Sequence, residues 1–230
     1  MMIMRTVCVS VFMAVAASGQ EASVKPGVNE KFLDPGLKVE EWTERFETES
    51  REIHRQREAI VKAVGIREGM VVADIGAGTG LFTMLFAKAA APGGRVYAVE
   101  IAQKFVDHLG ARAAKEKVSG VVPVLGTARS VELPDGVVDV AFICDVYHHF
   151  EYPADTMKSL WKAMKPGGTV VLIDFHRIAG KSSEWTMGHV RAGQEVFERE
   201  IAAAGFEKVG EEKGFLLENY FVRFRKKEKP

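Results

Sequence analysis

Short hydrophobic runs alternate with longer segments of helical spacing between residues 70 and 205. Each run is nearly continuous, which is typical of strands that are buried on both faces of a parallel sheet. The predicted strands are MVVADI (70–75), RVYAVE (95–100), GVVPVLG (120–126), VVDVAFICD (137–145) and GTVVLIDF (168–175). The segments between and after them predict helices within 81–91, 102–117, 153–168 and 188–205, and Pro166 with the two glycines after it stops the third. Strands that alternate with helices in this way indicate a doubly wound α/β fold.

The last part of the chain has a different pattern. FEKVGEEK (206–213) and ENYFVRFRK (218–226) predict a closing hairpin. We therefore expect a mainly parallel, Rossmann-like sheet of seven strands, with the last strand antiparallel and helices on both faces.

In the N-terminal third of the chain, a few hydrophobic residues recur at helical spacing among many charged residues. Residues 40–65 predict an amphipathic helical cap outside the sheet. The charged character of this segment favours solvent exposure for Arg45, Arg51 and His54. The preceding residues 21–39 mix proline, glycine and charge, and predict a linker into a single domain over 40–230.

The first twenty residues are typical of a secretory signal peptide. Arg5 precedes an apolar stretch and small residues near Ala17 and Gly19, so we expect cleavage close to Gln20 and export of the mature chain. A misassigned start is the alternative, and it would leave the protein in the cytoplasm. After cleavage only Cys144 remains, which excludes a disulfide framework and a cysteine metal site.

Composition and charge indicate an ordinary globular protein. Hydrophobic residues make up 47% of the chain, and 31 basic residues balance 31 acidic ones. A dedicated nucleic-acid-binding protein would carry excess positive charge. We therefore expect no nucleic-acid partner, and no membrane span in the mature chain.

The segment VVADIGAGTGLF (71–82) joins the first predicted strand to a helix through Gly76, Gly78 and Gly80. Glycines tolerate positive φ and let a ligand approach the backbone, so the turn predicts a binding site at the carboxyl end of this strand. The dinucleotide fingerprint G-x-G-x-x-G is not met, because Leu81 occupies the third glycine position.

Four ordered segments resemble the class I S-adenosylmethionine-dependent methyltransferases, in the small-molecule branch that includes the ubiquinone and menaquinone methyltransferases. The resemblance covers about residues 55–205. The segments are VADIGAGTG (72–80), VYAVE (96–100), LPDGVVDVAFICDVYHHF (133–150) and LWKAMKPGGTVVLIDF (160–175). The resemblance implies S-adenosylmethionine as cofactor and methyl transfer as the activity.

The resemblance also implies which residues hold the cofactor. Glu100 is expected to accept the ribose hydroxyls, and Asp74 either meets the cofactor's ammonium group or caps the helix. Thr127 and Ala128 stand where many relatives have an acid followed by a small residue to bind adenine. The full predicted cofactor set is Asp74, Gly76, Ala77, Gly78, Gly80, Glu100, Thr127, Ala128 and Asp145.

The segment after the fourth strand places polar side chains at the mouth of this site. His148 is the predicted catalytic base, with Asp145 beside it, although a histidine here also often packs against the sheet. No H-x-x-x-H pair or cysteine cluster is present, so no metal site is expected. Arg191 either binds an acidic group of the substrate or pairs with Asp174. The predicted substrate contacts are Tyr147, His149, Asp174, His176, Arg177, His189 and Arg191.

The expected function is transfer of a methyl group, in line, from S-adenosylmethionine to a small molecule. Two alternatives remain open: an exported binding module without catalysis, and a nicotinamide-dependent oxidoreductase. Leu81 disfavours the oxidoreductase, and the complete glycine turn with Glu100 disfavours a module without a cofactor.

Overall fold

A computed structural model describes residues 22–49 and 51–228. Its strands are β1 Val71–Ile75, β2 Arg95–Glu100, β3 Val121–Leu125, β4 Val138–Cys144, β5 Met164–Phe175, β6 Phe206–Glu212 and β7 Asn219–Lys226. Its helices are α1 Glu30–Leu33, α2 Val39–Phe46, α3 Glu52–Arg55, α4 Arg57–Val64, α5 Leu81–Ala90, α6 Gln103–Lys115, α7 Pro153–Ala163, α8 Glu184–His189 and α9 Gln194–Ala203.

The strands in the described ranges form one seven-stranded sheet in the order β3-β2-β1-β4-β5-β7-β6. The pairings of β1 with β2 and β4, of β2 with β3, and of β4 with β5 are all parallel. Strand β7 runs antiparallel to both β5 and β6. The predicted fold is therefore confirmed. Chain order reverses between β1 and β4, which is where open α/β sheets bind ligands.

Alternating strand residues supply two hydrophobic cores, one on each face of the sheet. One core packs Ile60 of α4 and Phe86 of α5 against Phe142 of β4. The other packs Leu160 of α7 and Phe197 of α9 against the opposite side. Because the strands are covered on both faces, their hydrophobic runs are nearly continuous, as the sequence indicated.

Strand β5 begins earlier than the sequence pattern predicts. The pattern stops the preceding helix at Pro166 and two glycines and begins the strand at Gly168, whereas the structure ends α7 at Ala163 and starts β5 at Met164, which pairs with Val138. Pro166 lacks a backbone N–H, and Gly167 has φ +70°, so neither residue continues a helix. The chain passes directly from helix to strand.

The segment predicted to be a linker packs against the domain where it is described. The Val24 amide donates to the Glu151 carbonyl oxygen at 2.9 Å, and the buried Asn29 side chain donates to the His149 carbonyl oxygen at 3.0 Å. Leu37 and Val39 then pack on Phe105 of α6. This segment and α2 together cover the carboxyl edge of the sheet.

The predicted signal peptide, residues 1–20, lies outside the described residues. Within the described ranges, no helix is both long and apolar enough to span a bilayer.

Candidate active site

A cavity of about 430 Å³ opens at the carboxyl edge of the sheet, beneath the N-terminal cover. Its walls combine the glycine turn after β1, the end of β2, the segments after β3, β4 and β5, and the helices α1 and α2. A volume of this size accommodates a small cofactor or substrate. The cavity therefore lies where the topology predicts a ligand.

The glycine turn is shaped by contacts that a side chain would block. Gly76 has φ +70°, and a Cβ there would lie 2.4 Å from the Val146 Cγ1 atom. Gly80 has φ +93°, and a Cβ there would lie 2.8 Å from the Leu109 Cδ2 atom. The amides of Gly76 and Ala77 both donate to the Val99 carbonyl oxygen, at 2.9 and 3.1 Å. The glycines thus allow the turn to fold back between β2 and the segment after β4.

Glu100 at the end of β2 lines the cavity and holds the glycine turn in place. One of its carboxylate oxygens accepts from the Gly78 amide at 2.8 Å, and the other accepts from the Ile101 amide at 2.9 Å. Burial raises the pKa of Glu100, while the hydrogen bond from Gly78 opposes that shift. Each carboxylate oxygen has a second lone pair, so both can still accept a ligand hydroxyl.

Asp74 at the end of β1 is buried behind the turn. Its carboxylate accepts a 2.6 Å hydrogen bond from the Thr83 hydroxyl on α5. Burial raises the pKa of Asp74 to about 7, although the bond from Thr83 opposes the shift. Asp74 lines a smaller cavity of about 90 Å³ behind Gly76 and Gly78, so it is adjacent to the turn and does not border the main cavity.

Asp145 follows β4 with a left-handed backbone, φ +54°, that places its side chain between two partners. The Arg51 guanidinium donates to one carboxylate oxygen at 2.5 Å, and the Asn219 amide donates to the other at 2.6 Å. Burial raises the pKa of Asp145 to about 6, and Arg51 opposes the shift. The predicted exposure of Arg51 is therefore wrong: a buried carboxylate draws it into the cavity wall.

Thr127 and Ala128, the predicted adenine contacts, form part of the cavity wall on exposed backbone after β3. The Thr127 amide donates to the Ser130 carbonyl oxygen at 2.8 Å, and the Ala128 carbonyl oxygen accepts from the Thr156 hydroxyl at 3.1 Å. These bonds fix the turn itself.

His148 is buried beside Asp174 of β5, yet its ring lines the cavity. The His148 Nδ1 atom lies 2.8 Å from one Asp174 oxygen, and the His148 amide donates to the other at 3.2 Å. A carboxylate that accepts from Nδ1–H sets the tautomer in which Nε2 carries the lone pair. Asp174 therefore positions His148.

Two further histidines meet His148 in the cavity wall. The Nε2 atoms of His149 and His189 lie 3.2 Å apart, and both rings lie against the His148 ring, with centroids at 4.4 and 5.0 Å. Burial lowers the pKa of His149 to about 2 and that of His189 to about 4, and the neighbouring His148 adds to both shifts. The sequence predicted all three as site residues, but not that they form one cluster.

The remaining predicted substrate contacts lie outside the cavity wall. Tyr147 is fully buried and packs on Phe197 in the core. His176 packs beside Tyr220, and the Arg177 guanidinium donates to the carbonyl oxygens of Val190 and Met187. Arg191 binds Glu200 of α9 through two hydrogen bonds at 2.9 and 2.5 Å, so its predicted pairing with Asp174 is wrong.

Phe32 of α1 and Trp42 and Phe46 of α2 form an aromatic wall of the cavity, which the sequence did not identify. Phe32 and Trp42 have ring centroids 4.7 Å apart, and Trp42 and Phe46 have centroids 5.2 Å apart. Trp42 and Phe46 are spaced as one face of α2, which is the apolar face that the sequence predicts. That face covers the cavity rather than the sheet.

An ion pair between Glu47, at the end of helix α2, and Arg112 joins α2 to the glycine turn, and both side chains are mostly buried. The Arg112 guanidinium of α6 contacts both Glu47 oxygens and donates to the Thr79 carbonyl oxygen at 2.8 Å. The Thr79 hydroxyl also donates to Glu47 at 2.6 Å. The cover and the turn are therefore mechanically linked.

Residues 73–172 match the family model described as a methyltransferase domain. The chain is 29% identical, over 127 residues, to the ubiquinone/menaquinone biosynthesis C-methyltransferase of Burkholderia cenocepacia, with 55% of this chain and 52% of that protein covered. It thus spans about half the length of this curated relative.

Two solved structures have the same fold. A SAM-dependent methyltransferase from Aquifex aeolicus matches 82% of this chain and 98% of its own, with a TM-score of 0.72 and 20% identity. A phosphoethanolamine N-methyltransferase of Haemonchus contortus, solved with S-adenosyl-L-methionine, matches 77% of this chain and 46% of its own, with a TM-score of 0.59 and 21% identity. Residues 73–172 of this chain therefore match a methyltransferase domain, and the chain has the fold of solved S-adenosylmethionine-dependent methyltransferases.

Proposed function

We propose that this protein binds S-adenosylmethionine across the glycine turn and transfers its methyl group, in line, to a small molecule. The observation that carries the proposal is Glu100: its carboxylate is fixed by the Gly78 and Ile101 amides at the cavity wall. Each oxygen keeps a lone pair for a ribose hydroxyl, and such charge-assisted bonds are among the stronger ones in proteins.

Two features of the glycine turn support the proposal: its glycines allow close backbone contact, and it lacks the third glycine of a dinucleotide site. S-adenosylmethionine has no phosphate, so its site needs close backbone contact rather than a phosphate cradle. Gly76 and Gly78 border the cavity and can provide that contact, and Leu81 stands where a dinucleotide site has a third glycine. The same features disfavour the nicotinamide-dependent oxidoreductase.

The opposite wall suits a substrate with an apolar body. Phe32, Trp42 and Phe175 border this part of the cavity together with His148. In the transfer, a lone pair of the acceptor attacks the methyl carbon, and the carbon–sulfur bond breaks with its electron pair left on sulfur. S-adenosylhomocysteine is released. The acceptor's proton goes either to the Nε2 atom of His148 or to solvent, so the main task of the wall is to orient the two reactants.

Titration calorimetry with S-adenosylmethionine, S-adenosylhomocysteine and NAD⁺ tests the cofactor. We expect the two sulfur nucleosides to bind and NAD⁺ not to bind. The Glu100→Gln variant keeps the side-chain shape but loses the charge, so its affinity should fall by about 10- to 100-fold. Glu207→Gln, an exposed change on β6, is the control and should leave the affinity unchanged. Equal affinity of Glu100→Gln and the parent would refute the ribose assignment.

Release of S-adenosylhomocysteine in the presence of phenol, thiol and amine acceptors tests catalysis. Binding without release from any acceptor would favour the non-catalytic module. Export is a separate proposal, based on the apolar segment after Arg5. Sequencing the N-terminus of the mature protein tests it, and a chain that retains Met1 would contradict it.

A further inference from the structure

Three of the six histidines of the chain meet at one point of the cavity wall. One ring nitrogen from each of His148, His149 and His189 lies within 4.8 Å of one from each of the others. The ring planes are mutually inclined, at 45°, 60° and 75°. The rings therefore do not stack as a simple aromatic pile, and their nitrogens converge.

The spacing of two of these nitrogens is already that of metal ligands. The Nε2 atoms of His149 and His189 lie 3.2 Å apart. A tetrahedral zinc ion with Zn–N bonds of about 2.0–2.1 Å holds its nitrogen ligands about 3.3 Å apart. A hydrogen bond also fits this distance, but it uses one proton and one lone pair and gives the third ring no role.

The third ring, that of His148, has a carboxylate behind it, as metal-binding histidines often do. Asp174 accepts from His148 Nδ1 at 2.8 Å, which leaves the Nε2 lone pair for another partner. A buried carboxylate behind a histidine ligand orients the ring and raises its basicity. Asp174 is fully buried and also accepts from the Phe175 amide, so it is held firmly.

Within residues 22–49 and 51–228, contacts from outside the cluster engage ring faces and backbone but leave the converging nitrogens free of other donors. Trp185 stacks on the His189 ring, with centroids 4.5 Å apart, and Phe32 lies edge-on to His149 at 5.4 Å. Lys25 donates to the His189 carbonyl oxygen, and Asn29 donates to that of His149. Both backbone braces come from the N-terminal segment, so that segment helps to assemble the cluster.

We propose that His148, His149 and His189 form a site for a divalent transition-metal ion of the zinc type, bound through their Nε2 atoms. Imidazole ligands select zinc and its neighbours over magnesium and calcium, which prefer oxygen. Three protein ligands leave a fourth position, as in catalytic zinc sites, and here it faces the cavity.

The site has a consequence for the acceptor, and this step rests on the proposed methyltransferase function. An acceptor thiol or hydroxyl that occupies the fourth position loses its proton to solvent, because the ion lowers its pKa. The resulting anion attacks the methyl carbon, and the broken carbon–sulfur bond leaves its electron pair on the cofactor's sulfur. The ion then replaces a general base, and His148 acts as a ligand. The acceptor class is therefore an oxygen or sulfur compound with an apolar body.

Metal titration of the chelator-treated full chain, prepared without a histidine tag, tests the site. We expect one Zn²⁺ per chain by calorimetry, and Co²⁺ should give the intense visible bands of a tetrahedral ion. His189→Ala should weaken Zn²⁺ binding at least 100-fold. His54→Asn is the control, since His54 pairs with Glu49 away from the cluster, and it should bind as the parent does.

Asp174→Asn provides a second variant that keeps all three ligands. Loss of the carboxylate behind a histidine ligand should weaken metal binding about 10- to 100-fold. Circular dichroism establishes whether each variant is folded. If His189→Ala does not fold, the metal affinity of Asp174→Asn is the test of the site. Absence of stoichiometric Zn²⁺ and Co²⁺ binding by the parent, or binding equal to the parent's by folded His189→Ala or Asp174→Asn, would overturn the proposal.

The two proposals fail separately. Calorimetry with S-adenosylmethionine on the metal-free chain reports on the cofactor alone. If it binds and Zn²⁺ does not, the metal site is wrong and the methyltransferase proposal stands. If Zn²⁺ binds but thiol and hydroxyl acceptors give no S-adenosylhomocysteine while amines do, the metal site stands and the acceptor class is wrong.

Discussion

Replacing Gly76 with alanine tests whether the glycine turn depends on close packing or only on backbone freedom. A Cβ at this position would lie 2.4 and 2.6 Å from the two γ carbons of Val146 and 3.0 Å from its Cβ. Rotation of the valine cannot relieve all three contacts, since its Cβ does not move. The substitution also places an alanine at φ +70°.

The two costs can be separated with a matched glycine. Gly136 has φ +68°, and a Cβ there would meet nothing within 4 Å. A left-handed alanine costs about 1–2 kcal/mol, which both substitutions share. Overpacking against a fixed neighbour adds about 1–3 kcal/mol at Gly76 only. We therefore expect Gly76→Ala to destabilise the protein by about 2–5 kcal/mol, and Gly136→Ala by about 1–2 kcal/mol.

Urea unfolding of both variants measures the difference, provided that the slope of each transition is unchanged. Adding Val146→Ala to Gly76→Ala should recover part of the loss, because it removes the two shortest contacts, and a double-mutant cycle gives the size of that coupling. Equal midpoints for Gly76→Ala and Gly136→Ala would refute the packing argument and leave only the backbone term.

Two other side chains give predictions of their own. Glu47→Gln should lower the free energy of unfolding by about 1–3 kcal/mol, since Glu47 joins Arg112 to the glycine turn. The control is Glu41→Gln, which removes an exposed carboxylate that pairs with Lys38 and should change the free energy of unfolding little in the same urea titration. Equal effects of the two variants would contradict the link between Glu47 and the turn. Burial raises the pKa of Asp74 from 3.8 to about 7, so the folded protein favours the protonated carboxyl. The contribution of this group to the free energy of unfolding is therefore complete below about pH 4 and is lost as the pH rises through 7. Asp74→Asn should thus lose less stability than the parent between pH 4 and pH 8 in urea unfolding, and identical pH profiles would show that Asp74 does not titrate there.

The sequence predicted the sheet and the glycine turn well because both depend on local patterns. A strand covered on both faces must be apolar along most of its length, and Val72, Ala73 and Ile75 of β1 and Val140 to Ile143 of β4 satisfy this without knowledge of their neighbours. The start of β5 was misplaced by the same local reasoning, which put it at Gly168 rather than at Met164. Pairing of Met164 with Val138, a contact between distant parts of the chain, extends the strand backwards.

Charged side chains were predicted less well, because their partners are set by tertiary packing. Arg51 was assigned to solvent from the charge of its own segment, yet the buried carboxylate of Asp145 binds it. Arg191 was weighed between substrate and Asp174, and Glu200 of α9 binds it instead. Because desolvation makes an unpaired buried charge costly, Asp145 and Glu200 each pair with the cation that the fold brings near them. Sequence spacing alone does not contain that information.

The histidine cluster shows why a metal site was not expected from spacing. His148 and His149 follow β4, whereas His189 ends α8, 40 positions beyond His149. Metal-binding motifs are recognisable in sequence when their ligands lie on one helix or loop, as in H-x-x-x-H. Here β4 and β5 are parallel neighbours, so the segments that follow both strands lie at the same sheet edge. Lys25 and Asn29 then brace the backbone of His189 and His149. Residues that the sequence assigned to a linker thus contact the proposed metal site.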